Sequence, residues 1–271
     1  MKQTPACLAL AISMLIIACN ATHKLPKAEP STMPKNITIN GKLFTTIFQQ
    51  KSAEYRALCY QAYNIARLRI DTYKAPVNKP LAIITDIDET IFDNSIYAAY
   101  RGLQGKDYEP ASWYEWTDKS AADTMPGAGS FLKYAAARGV EIFYVTNREL
   151  RERSSTLKNL QRFSLPNADD AHLLTRIDVS SKEQRRINVG TTHNIILLMG
   201  DNLADFSTLF EKKSQEERQR NTDYSASEFG NKFIVFPNPV YGDWEGAINK
   251  YNYTLTDAQK DSIIKQALIS Y

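Results

Sequence analysis

The chain has 271 residues, of which 43% are hydrophobic and 23% are charged, a composition typical of one globular domain, alone or with a small subdomain. Its 33 basic and 30 acidic residues leave a net charge of +3. This excess is too small to indicate a nucleic acid polymer as partner, or attachment to a membrane by charge alone.

The N-terminus has the pattern of an export signal. Lys2 is followed by an apolar run from Ala6 to Ala18, which is too short for a transmembrane helix and predicts a signal peptide over residues 1–18. The ending "IIAC", whose cysteine is Cys19, resembles the lipobox of bacterial lipoproteins. That resemblance implies cleavage before Cys19 and membrane anchoring through a lipid on its thiol. An ordinary cleaved signal with an incidental cysteine is the alternative.

Residues 19–36 are rich in Pro, Lys, Ser and Thr and lack apolar periodicity. They are predicted to form a flexible tether between the lipid and a domain over residues 37–271. Asn20 gives no strong signal for retention in the inner membrane. We therefore expect a protein of the bacterial cell envelope, in the outer membrane where the cell has two, with its domain outside the cytoplasm. Cys7 lies in the predicted signal peptide and Cys19 is the predicted lipidation site, so Cys59 is the one cysteine left in the domain. A single thiol cannot form an internal disulfide, and the domain is predicted to lack one.

Apolar, β-branched runs alternate with segments of helical spacing through most of the domain. Runs of this length without polar alternation are typical of strands buried on both faces. The predicted strands lie at residues 80–85, 140–146, 171–175, 194–200 and 232–237, and the predicted helices at 127–139, 149–163, 181–190 and 203–220. The alternation predicts an α/β fold with a doubly wound, Rossmann-like, mainly parallel sheet.

Two segments outside this alternation are predicted to form a small, mostly helical cap beside the site. One covers about residues 37–75 and contains a helical pattern between Phe44 and Ile70. The other, at about 95–125, is too long for a bare loop in a compact domain. After Asn238 the sequence predicts two further amphipathic helical pieces.

Carboxylates cluster at the predicted ends of two strands. Asp86 and Asp88 follow the first strand, and the alternation of an extended chain puts both on one side. Asp201 follows the fourth strand, and ligands of open α/β sheets bind at this carboxyl edge. An all-oxygen cluster suits a hard divalent cation, so we expect one Mg²⁺ per site.

Two motifs carry a resemblance to a known family. The stretch Asp86–Thr90, "DIDET", resembles the first motif of the DxDxT phosphohydrolases in the haloacid dehalogenase (HAD) superfamily, and within them that of bacterial class C acid phosphatases. Residues Ile196–Phe206, "ILLMGDNLADF", are similar to their second signature. The similarity extends over nearly all of the domain and implies a HAD-type phosphatase.

The resemblance implies a role for each matching residue. Asp86 is expected to attack phosphorus and form an aspartyl-phosphate, and Asp88 to protonate the leaving group and then activate water. Thr90 is expected to fix the loop. The residues expected to hold the phosphate are Thr146, Asn147 and Lys182. The implied metal ligands are the Asp86 carboxylate, the Asp88 backbone carbonyl, the Asp201 carboxylate and Asp205, the last either as a ligand or beside one. Arg185 and Arg186 are rivals for the role of Lys182.

Aromatic residues bear on the substrate. Trp113 and Tyr241 resemble positions where the family places aromatic groups around the leaving group. Aromatic faces favour a flat base, and so nucleoside monophosphates over sugar phosphates among small phosphate monoesters. Core packing is the alternative for both residues, and the favoured interpretation for Trp116 and Trp244. The sequence leaves a homodimer open.

Two functions of different kinds fit the sequence. The first is a Mg²⁺-dependent acid phosphatase or 5′-nucleotidase anchored to the bacterial envelope. The second is an envelope lipoprotein with a binding or adhesive role on a phosphatase scaffold. The presence of Asp86, Asp88, Lys182 and Asp201 favours the enzyme. Glu89 and Asp93 of the opening motif receive no assigned role.

Overall fold

The computed structural model describes residues 36–74 and 78–271. The predicted signal peptide, the predicted lipidation site Cys19 and the predicted tether up to residue 35 lie outside these residues. Among the described residues, no helix combines the length and hydropathy needed to cross a bilayer.

Strands and helices succeed one another along the described chain. The strands are β1 (Leu81–Thr85), β2 (Phe92–Asp93), β3 (Asp123–Thr124), β4 (Glu141–Glu149), β5 (Leu173–Arg176), β6 (Asn194–Gly200) and β7 (Phe233–Val235). The helices are α1 (Ile37–Lys51), α2 (Ala53–Thr72), α3 (Ser95–Leu103), α4 (Pro110–Thr117), α5 (Ala128–Ala137), α6 (Arg153–Arg162), α7 (Glu183–Thr192), α8 (Gln215–Tyr224), α9 (Asp243–Ile248) and α10 (Asp257–Ala267).

Five of the strands in the described residues form one parallel sheet in the order β5-β4-β1-β6-β7. The short β2 and β3 pair antiparallel in a separate ribbon. All five predicted strands are present, and the predicted doubly wound, mainly parallel fold is confirmed. The chain runs from β1 outward to β4 and β5 and then returns to β6 on the other side of β1, so the carboxyl ends of β1 and β6 border the crevice where such folds bind ligands.

Helices cover both faces of the sheet because both faces are apolar. On one face, Ile83 of β1 belongs to a buried cluster with Tyr63 of α2 and Phe131 of α5. On the other face, Ile84 of β1 packs in a cluster with Val189 of α7. Successive strand residues point to opposite faces. The absence of polar alternation in the strand sequences is therefore what two covered faces require.

The prediction of a single helix over residues 203–220 is wrong. The chain forms two short 3-10 turns at 203–205 and 208–210 before α8 begins at Gln215. Three polar side chains each cap a new helical turn. Asn202 accepts from Ala204 N, Ser207 from Leu209 N and Ser214 from Glu217 N. Such caps favour a new helical turn over continuation of the old one.

The segments predicted as a cap have different neighbours. Helix α1 packs against α3 and α10, whereas α2 packs against α5 and β7 on the sheet. They separate at Ser52, whose extended backbone ends α1 and whose hydroxyl caps α2 by accepting from Tyr55 N at 3.0 Å. The insertion contributes α3, α4 and β3. Helices α9 and α10 form the two pieces expected after Asn238.

Candidate active site

The predicted site residues meet at the carboxyl ends of β1, β4 and β6. Asp86 and Asp88 directly follow β1, and Asp201 directly follows β6. Strand β4 extends three residues beyond its predicted end at Thr146, so that Asn147 and Arg148 also lie within it. The site opens into a cavity of about 660 Å³, whose lining includes Asp86, Asp88, Asn147, Lys182, Asp201 and Asp205.

Three carboxylates converge around a buried ammonium group. Oxygen atoms of Asp86, Asp201 and Asp205 all lie within 4.8 Å of one another. The Lys182 ammonium, only 5% exposed as a residue, forms ion pairs with Asp86 and, at 2.6 Å, with Asp205. Of the three basic residues considered for this position, Lys182 is therefore the one among the carboxylates. Arg185 instead donates to Thr146 O, and Arg186 to the carbonyls of Ala204 and Asp205.

A glycine allows Asp205 to enter this cluster. A Cβ added to Gly200 would lie 2.3 Å from Asp205 Oδ2, so a larger residue at the end of β6 would displace the carboxylate. Asn202 N donates to the same oxygen at 3.1 Å. The neighbouring Asp201 accepts from Asn238 Nδ2 at 2.7 Å and from Thr90 Oγ1 at 3.5 Å. The hydroxyl of Thr90 thus connects the loop after β1 to the acid after β6.

Arg148 holds Asp88 in place. Its Nη2 donates to Asp88 Oδ1 at 2.8 Å and its Nε contacts both carboxylate oxygens at 3.1 Å, while Nη1 donates to Thr156 Oγ1 at 3.1 Å. Asn94 Nδ2 also donates to Asp88, at 2.9 Å. Although burial opposes its charge, Asp88 raises the pKa of Arg148 above its usual value. In the sequence, Arg148 directly follows Thr146 and Asn147. Its ion partner, Asp88, lies 60 residues earlier, so the local sequence does not indicate the pair.

Replacing Arg148 by Gln should release Asp88 and lower kcat by about 10² fold, the lower range for a positioned general acid. It should also lower the free energy of unfolding by about 3 kcal/mol, because it leaves a largely buried carboxylate without its ion partner. Steady-state kinetics on p-nitrophenyl phosphate and urea unfolding measure the two effects. Arg151→Gln, at an exposed position, is the matched control and should change neither. An unaltered kcat in folded Arg148→Gln would contradict this positioning role.

The two other predicted phosphate-holding residues differ in exposure. Thr146 is fully buried, and its Oγ1 accepts from Arg148 N at 3.1 Å. Asn147 is exposed, and its side-chain carbonyl accepts from Arg185 Nη2 at 2.8 Å. In these bonds each side chain serves as an acceptor. The Thr146 hydroxyl hydrogen and the Asn147 amide hydrogens can therefore be donated to another acceptor.

The site carries more negative than positive charge. With every acid ionised, four carboxylates and two cations leave an excess of two negative charges among Asp86, Asp88, Asp201, Asp205, Lys182 and Arg148. Burial, opposed by Lys182 and reinforced by Asp205, raises the pKa of Asp86 to about 7. Burial and the neighbouring Asp205 likewise raise the pKa of Asp201 well above its usual value. An all-oxygen donor set with this excess fits a hard divalent cation.

Glu89 joins the loop after β1 to the C-terminal part of the chain. Its backbone adopts a left-handed conformation, with φ of 55°, which directs a buried carboxyl toward the Tyr241 hydroxyl, with which it hydrogen-bonds. Asn94 N donates to its other oxygen at 2.9 Å. Burial, with a smaller contribution from Asp88, raises the pKa of Glu89 to about 8, so its protonated form is favoured near neutral pH. Asp93, the other unassigned acid, accepts from Ser95 N at 2.8 Å at the start of α3.

The tryptophans and Tyr241 divide between the cavity and its surroundings. Trp113 and Tyr241 both line the cavity, and the Arg148 guanidinium lies 5.6 Å from the Trp113 ring centre. Trp116 packs against the core and donates its Nε1 to Asn94 Oδ1 at 2.8 Å. Trp244 is 43% exposed and donates to Tyr241 O. Trp116 thus packs against the core, as expected. Trp244 was also expected in the core, but it lies on the solvent-exposed side of α9.

Carboxylates, a buried lysine and a strand-end hydroxyl at the carboxyl edge of a parallel sheet form a site of the kind that transfers phosphoryl groups. Comparison with known proteins gives the family. Residues 15–244 match the family described as HAD superfamily, subfamily IIIB (acid phosphatase).

Two solved structures are similar over most of the chain. The class C acid phosphatase from Bacillus anthracis is 41% identical, with a TM-score of 0.83, and the match covers 86% of this chain and 99% of that chain. Its crystal structure with tungstate bound matches at 40% identity and a TM-score of 0.81, covering 87% and 99% of the two chains. The chain therefore belongs to the HAD subfamily IIIB acid phosphatases and is a phosphatase of phosphate monoesters.

Proposed function

We propose that this phosphatase is Mg²⁺-dependent and hydrolyses nucleoside 5′-monophosphates through a covalent intermediate on Asp86. The observation that carries the proposal is the grouping of Asp86, Asp201, Asp205 and Lys182 at the end of a cavity that Trp113 and Tyr241 also line. The acids would carry out the phosphoryl transfer, and the aromatic residues would bind the nucleoside that leaves.

The metal would be held by the carboxylates of Asp86 and Asp201 and the backbone carbonyl of Asp88, with Asp205 as ligand or as the partner of Lys182. The excess of two negative charges described above supports a divalent ion. When bound, Mg²⁺ neutralises the carboxylates and polarises a phosphate oxygen. Lys182 remains close enough to Asp86 to hold a second oxygen of the same phosphate.

In the first chemical step Asp86 attacks phosphorus, and the bond from phosphorus to the leaving alkoxide breaks. Asp88, oriented by Arg148 and Asn94, gives its proton to that alkoxide. In the second step Asp88 takes a proton from water, which attacks the aspartyl-phosphate and frees Asp86. The hydroxyl of Thr146 is a further donor for the charge that develops on the phosphoryl oxygens.

The cavity supports a nucleotide as substrate, and a relative supports only the binding of its phosphate group. The cavity volume of about 660 Å³ is in the range of sites for drug-sized ligands, and the cavity has aromatic walls. Tungstate, bound in the Bacillus anthracis structure, is a tetrahedral oxyanion like phosphate. A substrate panel tests the proposal: nucleoside monophosphates should give a higher kcat/KM than sugar phosphates in the presence of Mg²⁺. Equal values would contradict the nucleotide preference.

Removal of the Tyr241 ring should weaken binding of a nucleobase. Tyr241→Ala should raise KM for nucleoside monophosphates about tenfold, since stacking contributes about 1–3 kcal/mol per base and 1.4 kcal/mol is tenfold. Tyr241→Phe keeps the ring and should stay near the wild-type KM, which separates stacking from the bond to Glu89. Tyr224→Ala, at an exposed position that does not line the cavity, is the control. An equal rise in KM for ethyl phosphate, which has no base, would contradict stacking and would indicate that Tyr241 serves in packing.

The proposed cellular location rests on the N-terminal sequence. Cleavage before Cys19 and lipidation of its thiol would anchor the domain outside the cytoplasm, on the outer membrane of a two-membrane bacterium. The phosphatase would then act on nucleotides in the envelope and release nucleosides and phosphate. Metabolic labelling with a fatty acid tests this, because Cys19→Ser should abolish incorporation; label retained in that variant would contradict the anchor.

A further inference from the structure

Tyr241 lies in a segment without regular secondary structure. Residues 236–242 connect β7 to α9 and belong to neither element. The segment begins at the site edge of the sheet, because Phe236 N donates to Gly200 O at 2.9 Å at the end of β6. The position of the Tyr241 ring in the cavity therefore depends on the contacts that this segment makes with its surroundings.

The side chain of Asn238 holds this segment from within. Its Oδ1 accepts from Val240 N at 3.0 Å and from Tyr241 N at 3.3 Å. An asparagine that accepts from amides two and three residues later fixes a turn as a backbone carbonyl would. Val240 is buried, whereas Tyr241 lines the cavity. Asn238 thus sets the backbone from which the Tyr241 ring enters the cavity wall.

The other end of the same amide binds an acid of the carboxylate cluster. Asn238 Nδ2 donates to Asp201 Oδ2 at 2.7 Å, whereas Thr90 Oγ1 lies 3.5 Å from Asp201 Oδ1. The partners fix the orientation of the amide, since its reversal would set the NH₂ group against two backbone N–H groups and its oxygen against a carboxylate. One planar group therefore joins Asp201 to the backbone of Tyr241.

The charge of the cluster decides how firmly Asp201 holds this amide. Oxygen atoms of Asp86, Asp201 and Asp205 lie within 4.8 Å of one another, and like charges at such distances repel. A divalent cation in the cluster would remove this repulsion and restrain the Asp201 carboxylate, whose hydrogen-bond partner then orients it further. We expect the bond to Asn238, and the turn that it supports, to become more rigid as a result.

We propose that Asn238 is a positioning residue that couples the metal site to the nucleoside site, so that each ligand binds more tightly when the other is present. The inference rests on the proposed function, which supplies both ligands. Coupling between two binding equilibria is reciprocal, so the same factor must appear in both affinities. The coupling makes the aromatic wall a better binding surface in the enzyme that is also ready for chemistry.

An uncharged nucleoside is the appropriate probe of this coupling. A nucleotide would contact the metal through its phosphate, and its affinity would depend on Mg²⁺ whether or not Asn238 acts. A nucleoside carries no net charge for the metal to attract, so its response to Mg²⁺ has to pass through the protein. Adenosine therefore separates the two effects.

Isothermal titration calorimetry on the full chain in a mild detergent tests the proposal. After EDTA treatment and removal of the chelator, adenosine is titrated with and without Mg²⁺, and Mg²⁺ with and without adenosine. Each ligand should lower the Kd of the other about fivefold or more, the usual range of coupling between sites. In Asn238→Ala, shown to be folded by circular dichroism, the two should bind independently. Asn231→Ala makes the same change at an exposed position outside the cavity and should keep the wild-type factor.

The wild type alone can overturn the coupling. If adenosine and Mg²⁺ both bind but neither changes the Kd of the other, the inference fails and the proposed function stands. If Mg²⁺ binds and adenosine does not, the nucleotide substrate is contradicted and the coupling with it. Coupling that survives in Asn238→Ala would overturn the role of Asn238, and its loss in Tyr241→Phe would then assign it to the bond between Tyr241 and Glu89.

Discussion

Asp86→Asn is expected to lower kcat by at least about 10³ fold, because an amide cannot form the phosphoenzyme on which a covalent route depends. The variant should fold as well as the wild type. The substitution removes one carboxylate from a site whose acids, when all are ionised, leave an excess of two negative charges, and Lys182 keeps its ion pair with Asp205. Its melting temperature without metal should therefore equal or exceed that of the wild type.

Single-turnover and steady-state kinetics with p-nitrophenyl phosphate, together with thermal unfolding, measure both effects of Asp86→Asn. Asp118→Asn makes the same chemical change at an exposed position and should leave kcat unchanged. Wild-type turnover by Asp86→Asn would rule out the nucleophile. A lower melting temperature with lost activity would instead point to damage of the fold.

Removal of divalent metal should reduce activity to about 1% or less, and Mg²⁺ should restore it, because the carboxylates then regain their counter-charge. Binding also stabilises the folded state. A ligand at about 100 times its Kd contributes about 2.7 kcal/mol, which for a domain of this size raises Tm by about 5–10 °C. EDTA treatment, followed by kinetics and thermal unfolding with and without Mg²⁺, measures both.

Asp201→Asn provides the matched test of the metal site. It should lose most of the Tm increase on addition of Mg²⁺, whereas Asp118→Asn should retain it. Full activity in EDTA would remove the metal from the mechanism. A Tm increase of the same size in Asp201→Asn would move the metal away from the carboxylate cluster.

The sheet could be predicted from sequence because its physical cause is local. Each strand is an unbroken apolar run, and burial on both faces selects such runs. The helix predicted over 203–220 failed for an equally local reason, since apolar spacing in this segment hid the caps at Ser207 and Ser214. Propensity and periodicity are averages over a segment, whereas a single cap decides where a turn restarts.

Site residues that act through distant partners could not be predicted in the same way. Asp86, Asp88 and Asp201 stand out because motifs at strand ends mark them. The clamp from Arg148 to Asp88 and the contact between Glu89 and Tyr241 join residues 60 and 152 positions apart. Nothing in the local sequence of either partner specifies the other, and only the strand order brings them together.

The side chain of Asn94 links Asp88, the proposed general acid, to the aromatic insertion. It donates to Asp88 at 2.9 Å and accepts from Trp116 at 2.8 Å, while its backbone N–H binds Glu89. Divergence of leaving-group specificity is therefore constrained unevenly along the insertion. On the proposed function, an exchange of Trp113 would change the preferred leaving group, whereas a change at Trp116 would reach Asp88 through the Asn94 amide and affect every substrate at once.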